Sequence, residues 1–423
     1  MKIYSKRKNC RLCYSKKLKI GFKLKPSPFG DIFFNSKKKA IKGHKVPITV
    51  YRCENCKHIQ NSEYVNPKLL WKDYTYLSSQ SQMIIDHLKD VSKTVIKKYQ
   101  LNTRDLVVDI GSNDGTFLKN FKTKKIKIFG VDPAKNVAKL ANKNGIRTIA
   151  SPINKKAVNK IIKKSGKAKV VLAFNVFAHN NNMNDFVRCV NHLLAKDGYF
   201  VFEAQYLRDI YKKKILGTFL HEHISHHSIF SLQNFFKKHN LNFYDLEFNN
   251  IQKGSIVGFV SNNMKLKKTK KFEKALIREK KEKINSLAKV RSFNSYIDKN
   301  FILCQKILKK YKNKLITGFG SARMGPIYAI NFGFMNKISY LFDDHFMKVN
   351  KYTNVTAKKV LPSKEINKLK PSICFVLAIE HLKNIVLKNV QYLRDGGKFI
   401  SVFPKVQEID YKNYKKIVLN EKN

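Results

Sequence analysis

The sequence lacks any apolar run that approaches the roughly 20 residues needed to span a bilayer, so it predicts no transmembrane segment. No apolar stretch follows its charged opening, so no signal peptide is expected. Cysteine is scarce and odd in number, with seven residues, which argues against a disulfide framework and for a reducing compartment. We therefore expect a cytoplasmic protein that does not act at a membrane.

Acidic residues are also few: 29 stand against 85 basic residues, and the formal net charge is +56. Such a charge is typical of nucleic-acid-binding proteins. Arginine, however, supplies most bidentate recognition of phosphates and guanine edges, and only 11 of the basic residues are arginine. The lysines are spread along the chain, and no basic segment interleaves arginine with aromatic residues. We therefore interpret the charge as solvated surface and predict no nucleic-acid partner.

The apolar residues make up 43% of the chain, enough for several cores, and 423 residues exceed one ordinary domain. Residues 73–264 alternate apolar strands with helical segments, which is the βαβ rhythm of a parallel sheet, and the rhythm returns in residues 313–423. Residues 265–312 contain neither Pro nor Gly, which predicts a helical connector. Residues 1–72 hold only short β-like runs. We predict an α/β protein with a central doubly wound, Rossmann-like domain, a second and smaller α/β domain at the C-terminal end, and a small N-terminal domain.

Four of the seven cysteines form two pairs, Cys10-Arg-Leu-Cys13 and Cys53-Glu-Asn-Cys56. Two pairs with two intervening residues each are typical of a tetrahedral zinc site. A site closed by four thiolates has no open position for a substrate or water. The pattern therefore predicts a structural Zn²⁺ in the N-terminal domain.

A glycine-rich turn follows the first strand of the central domain, which ends at Asp109. The turn, "GSNDG" at 111–115, is not GxGxxG, so a nicotinamide cofactor is not favoured. Its glycines let the backbone approach a ligand, and its acid and amide groups suit the ammonium and sulfonium charges of S-adenosylmethionine (SAM). The next strand ends at Asp132, where a carboxylate suits ribose hydroxyls. The predicted SAM-binding residues are Asp109, Gly111, Asn113, Asp114, Gly115, Asp132 and Asn175.

The stretch "TFLHEHISHH", residues 218–227, holds four of the twelve histidines. Such a cluster is compatible with a metal site, a solvated loop or a proton-transfer site. The HExxH spacing of a helical zinc site is absent, which weakens the first interpretation. These residues alone do not distinguish a solvated loop from a proton-transfer site.

Several motifs together resemble a known family. They are the CxxC…CxxC start, "DYTYLSSQS", "DIGSNDGTFL", "NVFAH", "FEAQYL", "HEHISHHSIFSL", "GFGSARMG" and "GGKFISVFP". In combination they resemble the SAM-dependent sugar-nucleotide C-methyltransferases, which place a methyl branch on a 4-keto deoxysugar. The resemblance implies a zinc-binding, a SAM-binding and a C-terminal Rossmann-like domain. It further implies that the sugar nucleotide lies against the last two.

The resemblance also implies roles for individual residues. His223 is the expected base that removes an α-proton, with Glu222 beside it and His179 across the pocket. Carbon methylation next to a ketone requires such a base, and histidine titrates near neutral pH. Tyr74 and Tyr76 match the segment that contributes a tyrosine. The residues expected to contact the sugar nucleotide are His221, Lys253, Ser255, Gly318, Gly320 and Arg323.

The chain departs from the family pattern around the substrate. Leu220 stands where the family has a tyrosine, His226 replaces an aromatic residue, and Lys253 and Val257 alter the ends of "KGSIVGF". A Trp-Asn pair in the last domain is absent. Methyl transfer is therefore expected while the acceptor stays open. The alternatives are an O- or N-methyltransferase, a zinc protein that binds or modifies nucleic acid, and a binding protein without catalysis.

Overall fold

A computed structural model describes residues 2–71, 74–321 and 323–419. Among these residues, no helix is long and apolar enough to cross a membrane. The predicted boundary between residues 72 and 73 lies outside the described residues. The polypeptide folds around three sheets of four or more strands and one two-stranded ribbon.

The N-terminal region is built on a four-stranded antiparallel sheet, in which one strand comes from the histidine cluster. In Lys45–Cys53 every second side chain from Val46 through Ile48 to Val50 is buried, because successive side chains point to opposite faces of a strand. The strands in spatial order are Ser225–His226, Ile59–Asn61, Lys45–Cys53 and Leu18–Pro28. Tyr4–Lys6 pairs with Glu63–Val65, and the helices are Lys37–Ile41 and Pro67–Leu70.

The central region contains a seven-stranded sheet with helices on both sides, which confirms the predicted Rossmann-like fold. All five residues of Leu106–Ile110 are buried, as expected for a parallel strand covered on both faces. The strands in spatial order are Asn242–Asn249, Ser255–Ser261, Leu194–Gln205, Ala168–Phe174, Leu106–Ile110, Lys127–Asp132 and Thr148–Ala150. Among them only Ser255–Ser261 runs opposite to the others, antiparallel to both of its neighbours. The helices are Gln82–Tyr99, Thr116–Lys122, Lys135–Lys143, Lys155–Ser165, Met183–Leu193, Leu207–Lys213 and Ile229–Lys238.

The connector forms two helices, Lys270–Lys281 and Leu287–Lys310, where the sequence predicted one continuous helical segment. Each begins at a hydroxyl cap. Thr269 accepts a hydrogen bond from the Phe272 amide, and Ser286 accepts one from the Lys289 amide. A capping side chain satisfies a free backbone N–H, so Ser286 marks a second helix start that composition alone does not reveal.

The C-terminal region contains an eight-stranded mixed sheet, and one edge strand comes from the N-terminal region. The strands in spatial order are Gln407–Ile409, Lys398–Ser401, Ile373–Val376, Ile316–Phe319, Tyr340–Phe342, Lys359–Leu361, Tyr352–Thr353 and Phe33–Phe34. The helices are Gly325–Asn331, Glu365–Leu369, Leu382–Lys388, Val390–Arg394 and Tyr414–Leu419. The N-terminal region is thus joined to both of the others through shared sheets: it receives Ser225–His226 from the central region and adds Phe33–Phe34 to the C-terminal sheet.

Candidate active site

The glycine-rich turn lies at the carboxyl edge of the central sheet, between the ends of two neighbouring parallel strands. Gly111 and Gly115 have φ angles of +78° and +86°, which glycine adopts without strain. A Cβ on Gly111 would lie 2.2 Å from the Val176 side chain. Gly115 is the N-cap of the helix Thr116–Lys122, so the turn presents backbone N–H groups at a helix start.

Two buried carboxylates lie below this turn. Asp132 accepts hydrogen bonds from the backbone amides of Asn113, at 2.9 Å, and Ala134, at 2.8 Å. No donor among the described residues bonds to the Asp109 carboxylate. Burial and then the charge of Asp132 raise the pKa of Asp109 well above its ordinary value. A buried carboxylate without a partner is costly, so this site fits a cationic ligand such as the ammonium group of SAM.

Asn113 and Asp114 use their side chains to hold another segment of the chain. The Asn113 amide oxygen accepts from the Ser78 amide at 3.0 Å, and its nitrogen donates to the Tyr76 carbonyl at 3.0 Å. The Asp114 carboxylate accepts from the Ser79 amide at 3.1 Å. These side chains therefore hold the "YLSS" segment over the turn. If Asn113 or Asp114 also contacts SAM, its side chain must do so in addition to holding this segment.

A small cavity opens where the carboxyl edge of the central sheet meets the histidine cluster. The rings of His223 and His179 stack there, with centroids 5.0 Å apart and planes inclined by 18°. Trp71 stacks on His179 at 5.9 Å. Polar residues dominate the rest of the lining, among them Asn175, Glu203, Gln205, Thr218, His226 and Gln252.

The histidines of this cavity are neutral at neutral pH. Burial, and next the positive charge of Arg323, lower the pKa of His223 to about 4. Burial and the neighbouring His223 lower the pKa of His179 well below its ordinary value. A neutral imidazole has one free lone pair, so each ring is in the form that accepts a proton.

Arg323 joins the three regions of the chain beside this cavity. Its guanidinium donates to Glu222 of the histidine cluster and, through Nε at 3.1 Å, to Asp31 of the N-terminal region. The group also lies over the Tyr74 ring, 5.2 Å from its centroid. Burial and the nearby carboxylate of Glu222 hold the pKa of Tyr74 at about 12 despite Arg323, so its phenol keeps its proton. Tyr76 stacks edge-on against Tyr74 and is partly exposed.

Three predicted substrate residues lie apart from the cavity. His221 bonds through Nε2 to the Val46 carbonyl at 2.8 Å, inside the N-terminal sheet. The Ser255 hydroxyl is buried and donates to the Ile251 carbonyl at 3.0 Å. The Lys253 ammonium lies over the Phe403 ring, 5.8 Å from its centroid. None of these side chains lines the cavity that holds His223.

A second small cavity is lined by Gly320, Ser321 and Arg323 of the C-terminal region and by Asp31 of the N-terminal region. Gly320 has a φ of +94°, whereas Gly318 lies inside the strand Ile316–Phe319 and packs on Leu341. The Asp343 carboxylate accepts from the Ser321 amide at 2.9 Å. This bond repeats the contact between Asp132 and the Asn113 amide of the glycine-rich turn, so a carboxylate at the end of the next strand holds each of the two turns.

The four cysteines predicted to bind zinc come together. Their sulfur atoms all lie within 4.8 Å of one another, with Cys10 and Cys56 at 3.4 Å and Cys13 and Cys53 at 3.6 Å. Four convergent thiols with no other metal-binding side chain in the group fit a structural zinc ion. His58 stays outside this set and bonds to the Ser225 hydroxyl at 3.3 Å.

Comparison with known proteins assigns the chain to a family. Residues 10–71 match the model described as "Putative zinc binding domain", residues 83–246 match "Methyltransferase domain", and residues 250–404 match "C-methyltransferase C-terminal domain". The chain is a SAM-dependent methyltransferase. This methyltransferase is 26% identical over 367 residues to the C-methyltransferase NovU of Streptomyces niveus, a match that covers 86% of this chain and 87% of that protein.

Solved structures also resemble parts of this methyltransferase. One is the magnesium protoporphyrin IX methyltransferase of Synechocystis with bound SAM, at 10% identity and a TM-score of 0.33, covering 46% of this chain and 88% of that one. Another is a SAM-dependent methyltransferase of Clostridium acetobutylicum, at 14% identity and a TM-score of 0.35, covering 42% of this chain and 91% of that one.

Several polar residues of the C-methyltransferase cavity were missed by sequence reasoning. Glu203 is fully buried, pairs with His87 at 3.0 Å and accepts from Asn249 at 2.6 Å. Gln205 and Thr218 line the same wall. A signal existed for Glu203 and Gln205, because "FVFEAQ" places these two polar residues at the carboxyl end of an apolar strand, where ligands bind in such sheets. Thr218 carries no such signal.

Proposed function

We propose that this methyltransferase transfers a methyl group from SAM to a carbon next to the ketone of an NDP-activated 4-keto deoxysugar. The observation that carries the proposal is the neutral His223, which lines a cavity at the carboxyl edge of the sheet that holds the SAM turn. A reaction at carbon requires a proton acceptor at the substrate, and this cavity provides one.

In the proposed reaction His223 acts as the base. It takes the α-proton, the C–H electron pair moves into the enolate, and negative charge develops on the ketone oxygen. SAM, when bound, would supply an electrophilic methyl group: the enolate electron pair forms the new carbon–carbon bond, the S–CH₃ bond breaks, and S-adenosylhomocysteine is released. The proton remains on His223 until it passes to solvent.

The developing oxyanion requires donors that are already in place. Tyr74, whose phenol keeps its proton, and the partly exposed Tyr76 are assigned this role together with His179. Glu222 is assigned to hold Arg323 beside the cavity, since the two form an ion pair that is largely buried. Arg323 also borders the second cavity, where Gly320 begins the turn assigned to the nucleotide, two residues after Gly318 in the preceding strand.

The SAM-binding assignment rests on charge and close backbone approach. Asp109 provides an unpartnered buried carboxylate, and Asp132 retains lone pairs for ribose hydroxyls. Gly111 and Gly115 supply the backbone turn, and Asn113 and Asp114 shape it. Asn175, with a φ of +56°, directs its amide group toward Glu203 at the same edge.

An O- or N-methyltransferase of another sugar is the second candidate, favoured by Leu220 and His226 at positions where the family has aromatic residues. It would not require removal of an α-proton. The two candidates therefore differ in one measurable property, which is the exchange of substrate C–H hydrogen with solvent.

The test is solvent-deuterium exchange with a panel of 4-keto-6-deoxy sugar nucleotides, followed by NMR, with and without SAM. We expect exchange at the α-carbon without SAM and a mass gain of one methyl group with SAM. His223→Gln should abolish both, whereas the control His192→Gln, at an exposed histidine outside the cavity, should retain them. SAM binding without exchange across the whole panel would refute the keto-sugar assignment.

A further inference from the structure

One wall of the cavity is a hydrogen-bonded chain of four residues that ends on His223. The Gln205 Nε2 group donates to the Gln252 carbonyl at 2.8 Å. The Gln205 Oε1 atom is in close contact with the Thr218 hydroxyl. That hydroxyl lies 3.4 Å from Nδ1 of His223. Thr218 is fully buried and Gln205 is 9% exposed, so water does not substitute freely for these partners.

The Gln252 carbonyl, at the end of this hydrogen-bonded series farthest from His223, fixes which group donates in every bond of the series. A backbone carbonyl only accepts, so Gln205 must turn its NH₂ group toward Gln252 and its oxygen toward Thr218. An amide oxygen only accepts as well, so the Thr218 hydroxyl must donate its single proton to Gln205. Toward His223 the hydroxyl then offers only a lone pair. Nδ1 of His223 must therefore carry the proton.

A neutral imidazole carries one N–H, so a protonated Nδ1 leaves Nε2 with the free lone pair. No described residue bonds to Nε2, and His223 lines the cavity.

We propose that Gln205 and Thr218 are positioning residues that set the tautomer of His223, so that its unprotonated Nε2 faces the substrate. The opposite tautomer would present an N–H to the cavity and could not accept a proton there. The inference rests on the proposed role of His223 as the base, but the tautomer is a property of the free enzyme and is testable without substrate.

The first experiment is ¹⁵N NMR of the intact protein labelled at its histidine nitrogens, with His223→Gln used to assign the His223 signals among the twelve histidines. We expect a protonated Nδ1 and a free Nε2 in the unmodified protein and in Thr218→Ser. Gln205→Met frees the hydroxyl to donate to Nδ1, so its spectrum should shift toward the Nε2–H form, and Thr218→Val should shift part of the way. An Nε2–H tautomer in the unmodified protein, or no shift in either variant, would overturn the proposal.

The second experiment measures α-proton exchange in the same variants. Loss of an orienting partner misplaces the base, so Thr218→Val and Gln205→Met should lose about tenfold or more in the exchange rate while KM changes little. Thr218→Ser should restore the rate, and unchanged melting temperatures would exclude a folding defect. If the tautomer is as stated but no keto sugar exchanges, the proposed function fails and the tautomer inference stands. If exchange persists at full rate in both variants, the positioning role is refuted.

Discussion

Lowering the pH should affect this enzyme far less than it affects one with an ordinary histidine base. A base acts in its unprotonated form, so activity is lost as the pH falls through the pKa of the base. Burial, reinforced by Arg323, lowers the pKa of His223 to about 4. The loss should therefore begin well below pH 6.

The size of the effect follows from the two pKa values. At pH 5.0 a base with a pKa of about 4 is roughly 90% unprotonated, whereas one at the ordinary value of about 6.5 is roughly 3% unprotonated. Between pH 7.5 and pH 5.0 we therefore expect kcat/KM for α-proton exchange to fall by about 10%, against about 30-fold for an unperturbed histidine.

The assay is α-proton exchange of a substrate identified from the panel, since kcat/KM reports the pKa values of the free enzyme. Circular dichroism and zinc content at each pH control for unfolding and for metal loss. Arg323→Gln removes a positive charge and frees Glu222 and Asp31, so it should move the acid limb toward neutral pH. Arg323→Lys should move it less. An acid limb near pH 6.5 in the unmodified enzyme would refute the argument that burial governs this base.

Three further outcomes are expected. Asp109→Asn should raise the melting temperature of the SAM-free protein, because the raised pKa of Asp109 means that folding disfavours the ionised carboxylate. The same substitution should weaken SAM binding by about 1.5–3 kcal/mol, measured by calorimetry. Gly115→Ala should cost at least about 1 kcal/mol in unfolding free energy, because its φ is +86° and the new Cβ would lie 2.8 Å from Ile146. Gly396→Ala, at a φ of +89° in open space, is the matched control, and an equal loss there would show that the contact with Ile146 is unimportant. Removal of zinc by a chelator, or Cys56→Ser, should lower the melting temperature and expose the N-terminal sheet to protease, and a metal-free protein of unchanged stability would contradict a structural role.

Much of the site could be predicted from short-range pattern. Cys10 and Cys13 sit on one knuckle because two residues separate them, and the second pair repeats the arrangement. Asp109 and Asp132 end consecutive parallel strands, so they had to lie at one edge of the sheet. The side-chain partners of Asn113 could not be predicted, because the segment it fastens lies about 35 residues earlier and carries no periodic signal.

By itself the sequence determined the α/β architecture, the grouping of the four cysteines and the glycine-rich turn after Asp109, because periodicity and spacing are local properties of the chain. Only the tertiary structure decided which histidines of the cluster line the cavity: His223 and His226 do, while His221 bonds to the Val46 carbonyl. It also decided that Arg323 meets Glu222 and that the His226 strand extends the N-terminal sheet. These contacts join residues 100 or more positions apart, and their geometry is set by how separate sheets pack, which no local pattern encodes.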